Sequence, residues 1–155
     1  SRRENIRKLS EVRFTKLEVR SEVRYTKIEV RNLKLESMKD LKSRTKKFSI
    51  DCWRLCKKIP QSREYNACVN QLIRSSSSVG ANYRAAQRAK STADFINKLK
   101  IVEEEADESM YFLKLFLEIL ENDLEEVKAL HVEANEIVSI IVASINTAKK
   151  KQSKK

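Results

Sequence analysis

Nine cations in the first half of the chain's apolar-patterned region are the residues best suited, by type and spacing, to chemistry. Lys46, Lys47, Arg54, Lys57 and Lys58 lie close together, and Arg74, Arg84, Arg88 and Lys90 follow. Ammonium and guanidinium groups gathered this way neutralise phosphates, and such binding tolerates sequence and weakens with salt. Base stacking needs aromatic faces beside them, for which Trp53, Tyr65 and Tyr83 are the candidates. The competing reading is structural: basic helices pair with acidic ones, inside the molecule or between subunits.

Other chemistries lack their parts. A di-iron bundle needs Glu-x-x-His pairs on facing helices. Here His131 is the single histidine, and Lys128 stands three residues before it. Glu103, Glu104, Glu105, Asp107 and Glu108 form an acidic run without an oxygen-rich turn, which reads as a solvated face with one inward member. An inward Glu108 paired with Arg74 or Arg84 would be structural. Neither a phosphate-cradling GxxxxGK[ST] loop nor a GxSxG nucleophile turn is present. Cys52 and Cys56 share one face of a helix and lack partner ligands. With Cys68 they make an odd number, so they read as reduced core thiols of a cytoplasmic protein. The residues therefore point to a protein that is not an enzyme and needs no cofactor or metal.

The elements that must carry the cations are helices. One Gly and one Pro in 155 residues leave too few turn formers for a sheet protein, while 41% hydrophobic and 35% charged residues suit long amphipathic helices. The chain shows no apolar signal core and no run long enough to span a membrane.

The net charge of +11 is unevenly spread. Residues 39–100 hold 15 Lys/Arg against 4 Asp/Glu, whereas residues 101–148 hold 2 against 12. A bundle built from these halves has faces of opposite sign.

In chain order, residues 1–37 form an extension with an eleven-residue repeat, SEVRFTKLEVR at Ser10–Arg20 and SEVRYTKIEVR at Ser21–Arg31. Its apolar residues make two narrow stripes on opposite sides of a helix, so extended and weakly helical forms both stay open. A duplicated coding stretch ahead of Met38 would equally produce it, with the working protein starting near that methionine.

Four helices are predicted after it, spanning about 39–59, 63–89, 92–120 and 124–148. Leu41, Phe48, Cys52, Leu55, Cys56 and Ile59 stripe the first, which Pro60 stops. Cys68, Leu72, Ser76, Val79, Tyr83 and Ala86 stripe the second. Its small residues Ser75 to Ser78 and Gly80 lower helix propensity but let a neighbour approach. Ser91 caps the third helix with Asp94 three residues on, ahead of a long stripe from Phe95 to Leu120. Asn122 and Asp123 form the last corner, and Leu124 to Ile145 stripe the fourth helix. Short loops between long helices imply an all-α, antiparallel up-down-up-down four-helix bundle over residues 38–148, with residues 149–155 as a basic solvated tail.

The stretches FSIDCWRLCKKIP and QLIRSSSSVGANYRAAQRAKSTADFINKLKIVEEEADES, with the apolar run after them, resemble the bacterial four helix bundle family. That family includes proteins encoded within intervening sequences of 23S ribosomal RNA genes. The accessory variability protein of diversity-generating retroelements is similar in fold. Where the family usually carries Asn-Ile-Ala-Glu-Gly, this chain has Asn82-Tyr83-Arg84-Ala85-Ala86, so that glutamate's role does not carry over. The resemblance covers about Met38 to Ala148. It implies a homo-oligomer, often a ring-like pentamer, without enzymatic activity, and an RNA or reverse-transcriptase-like partner on a basic surface.

Overall fold

The computed structural model describes residues 27–154, with side chains described for Ile28 and from Asp40 onward. The chain divides into two units, Ser1–Leu35 and Glu36–Lys155. Most of the eleven-residue repeat lies outside the described residues. The described residues form four helices: α1 (Lys27–Cys56), α2 (Arg63–Ala86), α3 (Thr92–Ile119) and α4 (Leu124–Gln152).

Local chemistry sets their ends. Pro60 sits in the first corner, after which the Ser62 hydroxyl accepts the Tyr65 amide and starts α2. Ser91 does the same for Asp94 at α3, and the Asp94 carboxylate accepts the Lys90 amide at 3.0 Å. This is a capping box whose return bond closes one residue ahead of the cap. Asp123 turns the third corner in the left-handed region (φ 60°), a conformation that Asp tolerates better than most residues. The first and second helices stop three residues short of the expectation, at Cys56 and Ala86, and two other boundaries differ more. The first helix begins at Lys27 and runs unbroken through Met38, and the last continues through Lys149, Lys150 and Lys151. Those lysines face the negative end of the helix dipole, which favours continued winding over a loose tail.

Contacts within residues 36–155 close the four helices into a ring of neighbours. Ser49 on α1 donates to the Ser76 carbonyl of α2 at 2.7 Å. Buried Ser75 and Ser109 join α2 to α3, their hydroxyls 2.9 Å apart. Toward the other end of that seam the Tyr65 hydroxyl donates to the Ile119 carbonyl. Helix α3 packs on α4, and Arg44 of α1 reaches Glu133 and Glu136 of α4. In each bonded seam, residue numbers rise on one helix as they fall on the other, so successive helices are antiparallel. This is the expected four-helix bundle.

The apolar stripes meet in one core. Phe48 and Leu55, Leu72 and Val79, Leu99 with Leu113 and Phe116, and Val127 with Ile137 and Ile141 are all fully buried. Burial of each such side chain contributes roughly 1.5–3 kcal/mol before chain entropy opposes it. The serines of α2 serve this packing: Ser75 and Ser76 are fully buried, and a Cβ at Gly80 would lie 3.4 Å from the Thr45 carbonyl oxygen of α1.

Candidate nucleic-acid interface

Nine cations were expected to form one surface, and the fold sorts them into four fates. Lys58 and Arg74 are engaged by carboxylates of neighbouring helices. Lys58 pairs with Glu126 across the α1/α4 seam, and Arg74 pairs with Glu108, with Glu105 at 3.7 Å, across the α2/α3 seam. The carboxylate bonds hold both cations charged, raising their pKa above the ordinary values. The physical reason is reach: long cationic side chains beside a seam span to the carboxylates of the acidic half while staying half exposed.

Lys47, Arg54 and Lys57 are satisfied within α1. Asp51 pairs with Lys47 one turn back and lies 3.7 Å from Arg54. The Lys57 ammonium stands 5.0 Å over the ring of Trp53. All three cations are solvent-exposed. These pairs are local and wet, so each contributes only tenths of a kcal/mol and releases its cation readily.

Lys46 and Arg84 come together. With Lys42, Ser43, Ser49, Ile50, Ser77, Gly80 and Ala81 they line a shallow groove between α1 and α2. Its floor is made by the small residues of α2, which leave room where larger side chains would fill the seam. Among the described residues no carboxylate forms an ion pair with Lys42, Lys46 or Arg84. Arg88 and Lys90 are exposed in the corner after α2 and do not line the groove. Lys42 was missed in the sequence, although its place four residues before Lys46 puts both on one stripe of α1.

The expected aromatic set also narrows. Tyr83 is buried and the Tyr65 hydroxyl is committed to Ile119, while Trp53 is 51% exposed. On the groove side of α1, Ile50 is 39% exposed.

The acidic half behaves as a solvated face with one inward member. Glu103, Glu104 and Asp107 line a shallow depression between α3 and α4 with Lys100 and Val138, on the side of the bundle away from the basic groove. Glu105 points inward, and its Oε2 is buried without a hydrogen-bond partner. Desolvation raises its pKa, opposed by the charge of Arg74. Glu108 pairs with Arg74, but it is partly exposed, and the inward member of the run is Glu105 in its place.

Elsewhere the chemistry is quiet. Cys52 and Cys56 are buried free thiols. Burial pushes both up, Cys56 to about 11, which keeps them protonated and unreactive at neutral pH. Among the described residues, no three His, Cys, Asp or Glu side chains converge as a metal site, and no helix is long and apolar enough to cross a membrane.

Comparison with known proteins adds two findings. A family model described as 23S rRNA-intervening sequence protein matches residues 37–143, more than half of the chain. A solved structure from Bacteroides thetaiotaomicron VPI-5482, described as a protein of unknown function from the S23 ribosomal protein family, is 31% identical. It superposes with a TM-score of 0.63, over 68% of this chain and 97% of that one. No curated protein matches.

Proposed function

We propose that this chain, which belongs to the 23S rRNA-intervening sequence protein family, is a non-enzymatic, oligomeric bundle that binds structured RNA, or a protein that works on RNA, through its α1/α2 face. The observation that carries the reading is the groove in which Lys42, Lys46 and Arg84 stand without ion-pair partners among the described residues. A protein at equilibrium with solvent gains nothing from holding like charges together, so the cluster suits a polyanion. Exposed Lys47, Arg54, Lys57, Arg88 and Lys90 extend the field around it. The free thiols suit a cytoplasmic setting.

The test is binding of the full chain to 23S ribosomal RNA fragments. Affinity should fall steeply with added salt, with the slope set by the number of phosphates neutralised. Lys42→Glu, Lys46→Glu and Arg84→Glu together should lower it at least a hundredfold. Salt-independent or absent binding would overturn the reading.

A second reading is favoured by the acidic depression of α3 and α4. Basic and acidic faces on opposite sides of one bundle suit head-to-tail contact between copies, which closes into a ring, five-membered in the family resemblance, or runs on as a filament. In that case high salt dissociates the oligomer and RNA leaves its mass unchanged.

A further inference from the structure

Four residues of α1 and the residue just after it follow one another at four-, four-, three- and four-residue spacing: Lys42, Lys46, Ile50, Trp53 and Lys57, whose amide still bonds the Trp53 carbonyl. That spacing keeps them on one stripe of the helix. The two carboxylates of α1 among its described side chains, Asp40 and Asp51, lie off it, and Asp51 is engaged by Lys47 on the neighbouring flank. The stripe is therefore cationic at both ends with an exposed apolar and aromatic stretch between them. Trp53 stands seven residues beyond Lys46, about 10 Å along the axis at the α-helical rise.

A cationic groove alone does not distinguish duplex from single strand. An exposed indole beside it does, because bases in a duplex are stacked on each other and present no open face, whereas unpaired bases do. Half of the Trp53 surface is exposed, although the ring is large and apolar. The Lys57 ammonium stands over its ring, a contact that is weak at an exposed site. A base can displace that ammonium from the ring and leave it free to pair with the adjoining phosphate.

Resting on the nucleic-acid reading of this groove, we infer that the α1 stripe takes an unpaired RNA segment, with a base stacked on Trp53 and the flanking phosphates on Lys42, Lys46, Lys57 and Arg84. Ile50 supplies the apolar wall between the phosphate groove and the stacked base.

Trp53 is the chain's single tryptophan, so its emission reports on this site alone. The experiment titrates the full chain at low salt with three probes of equal length: a single-stranded oligoadenylate, an RNA duplex and an abasic single-stranded backbone. Binding is followed by anisotropy of a label on the probe and, in parallel, by Trp53 emission. The oligoadenylate should quench most of the emission at saturation and bind about tenfold more tightly than the abasic strand. Trp53→Ala should remove that tenfold advantage and leave abasic binding unchanged, and Trp53→Tyr should restore part of it. Equal affinity for the abasic strand, duplex binding tighter than single-strand binding, or binding without quenching would overturn the stacking site and leave the basic groove standing. No anisotropy change with any probe would overturn both.

Discussion

Arg44 and Lys46 are two residues apart on α1 and have opposite uses. Arg44 faces α4, where its side chain is 24% exposed and its guanidinium makes two parallel bonds to Glu133 (2.9 and 2.8 Å) and a third to Glu136 (2.7 Å). Lys46 faces the α2 side, exposed in a groove without an acidic partner among the described residues. One helix thus carries a structural flank, spent on holding α4, and an open flank with charge left for a partner. A count of positive residues cannot tell these apart. Geometry can, because a planar fork between two glutamates in a seam is fixed, whereas an ammonium over small residues is mobile and hydrated.

The sharpest way to break this contrast is to remove each cation in turn. Arg44→Ala should cost roughly 1–2 kcal/mol of folding stability, between the values for exposed and buried pairs, since it leaves Glu133 and Glu136 facing each other. Lys46→Ala should stay within about 0.5 kcal/mol of the parent protein while weakening RNA binding. Chemical denaturation of both variants checks this. Equal costs would mean that the two flanks are not distinct.

A smaller effect sharpens the description of the groove floor. An alanine methyl at Gly80 meets α1 at ordinary contact distance, 3.4 Å from the Thr45 oxygen and 3.5 Å from Ser49 Oγ. Gly80→Ala should therefore gain part of the ~1 kcal/mol that separates the two residues inside a helix. Loss of stability in a thermal melt would show that α1 and α2 lie closer than this.

The smallest effect concerns the acidic side. Desolvation raises the pKa of Glu105, so its carboxyl favours the fold when protonated. That contribution is fully present below the unfolded value near 4.3 and is lost as pH rises through the raised folded value. Glu105→Gln should therefore raise stability at neutral pH, with the difference from the parent protein vanishing as the pH falls below about 4. A pH series of denaturation midpoints reads it directly. Asp94 has the opposite sign: the Lys98 pair and the Lys90 amide lower its pKa, so its support for the start of α3 disappears in acid.

Much of the architecture was legible in the residues because helical periodicity is a local property. Phe48, Leu55, Val79, Leu113 and Ile141 were all placed inward by spacing and are all fully buried. Ser91 announced its helix start because a cap needs only its own next three residues, whereas the Ser62 cap of α2 emerges only in the structure. The small-residue run of α2 was read as a close-packing face, and Ser75, Ser76 and Gly80 occupy that role. Ser109 was not anticipated as a buried residue, since a serine among charged neighbours carries no apolar signal.

The amino-acid sequence by itself determined four amphipathic helices, their corners, the family, and the division of charge between the first pair and the second. Only the tertiary structure decided which cations are spent. Spacing gives the angle between Arg44 and Lys46 on their own helix, but not which of those angles faces α4 and which faces the open side of α2. That assignment depends on how the four stripes turn around one another, and it is fixed by packing among residues far apart in the chain. It put Lys58 and Arg74 into seams and left Lys42, Lys46, Arg84 and the face of Trp53 toward solvent.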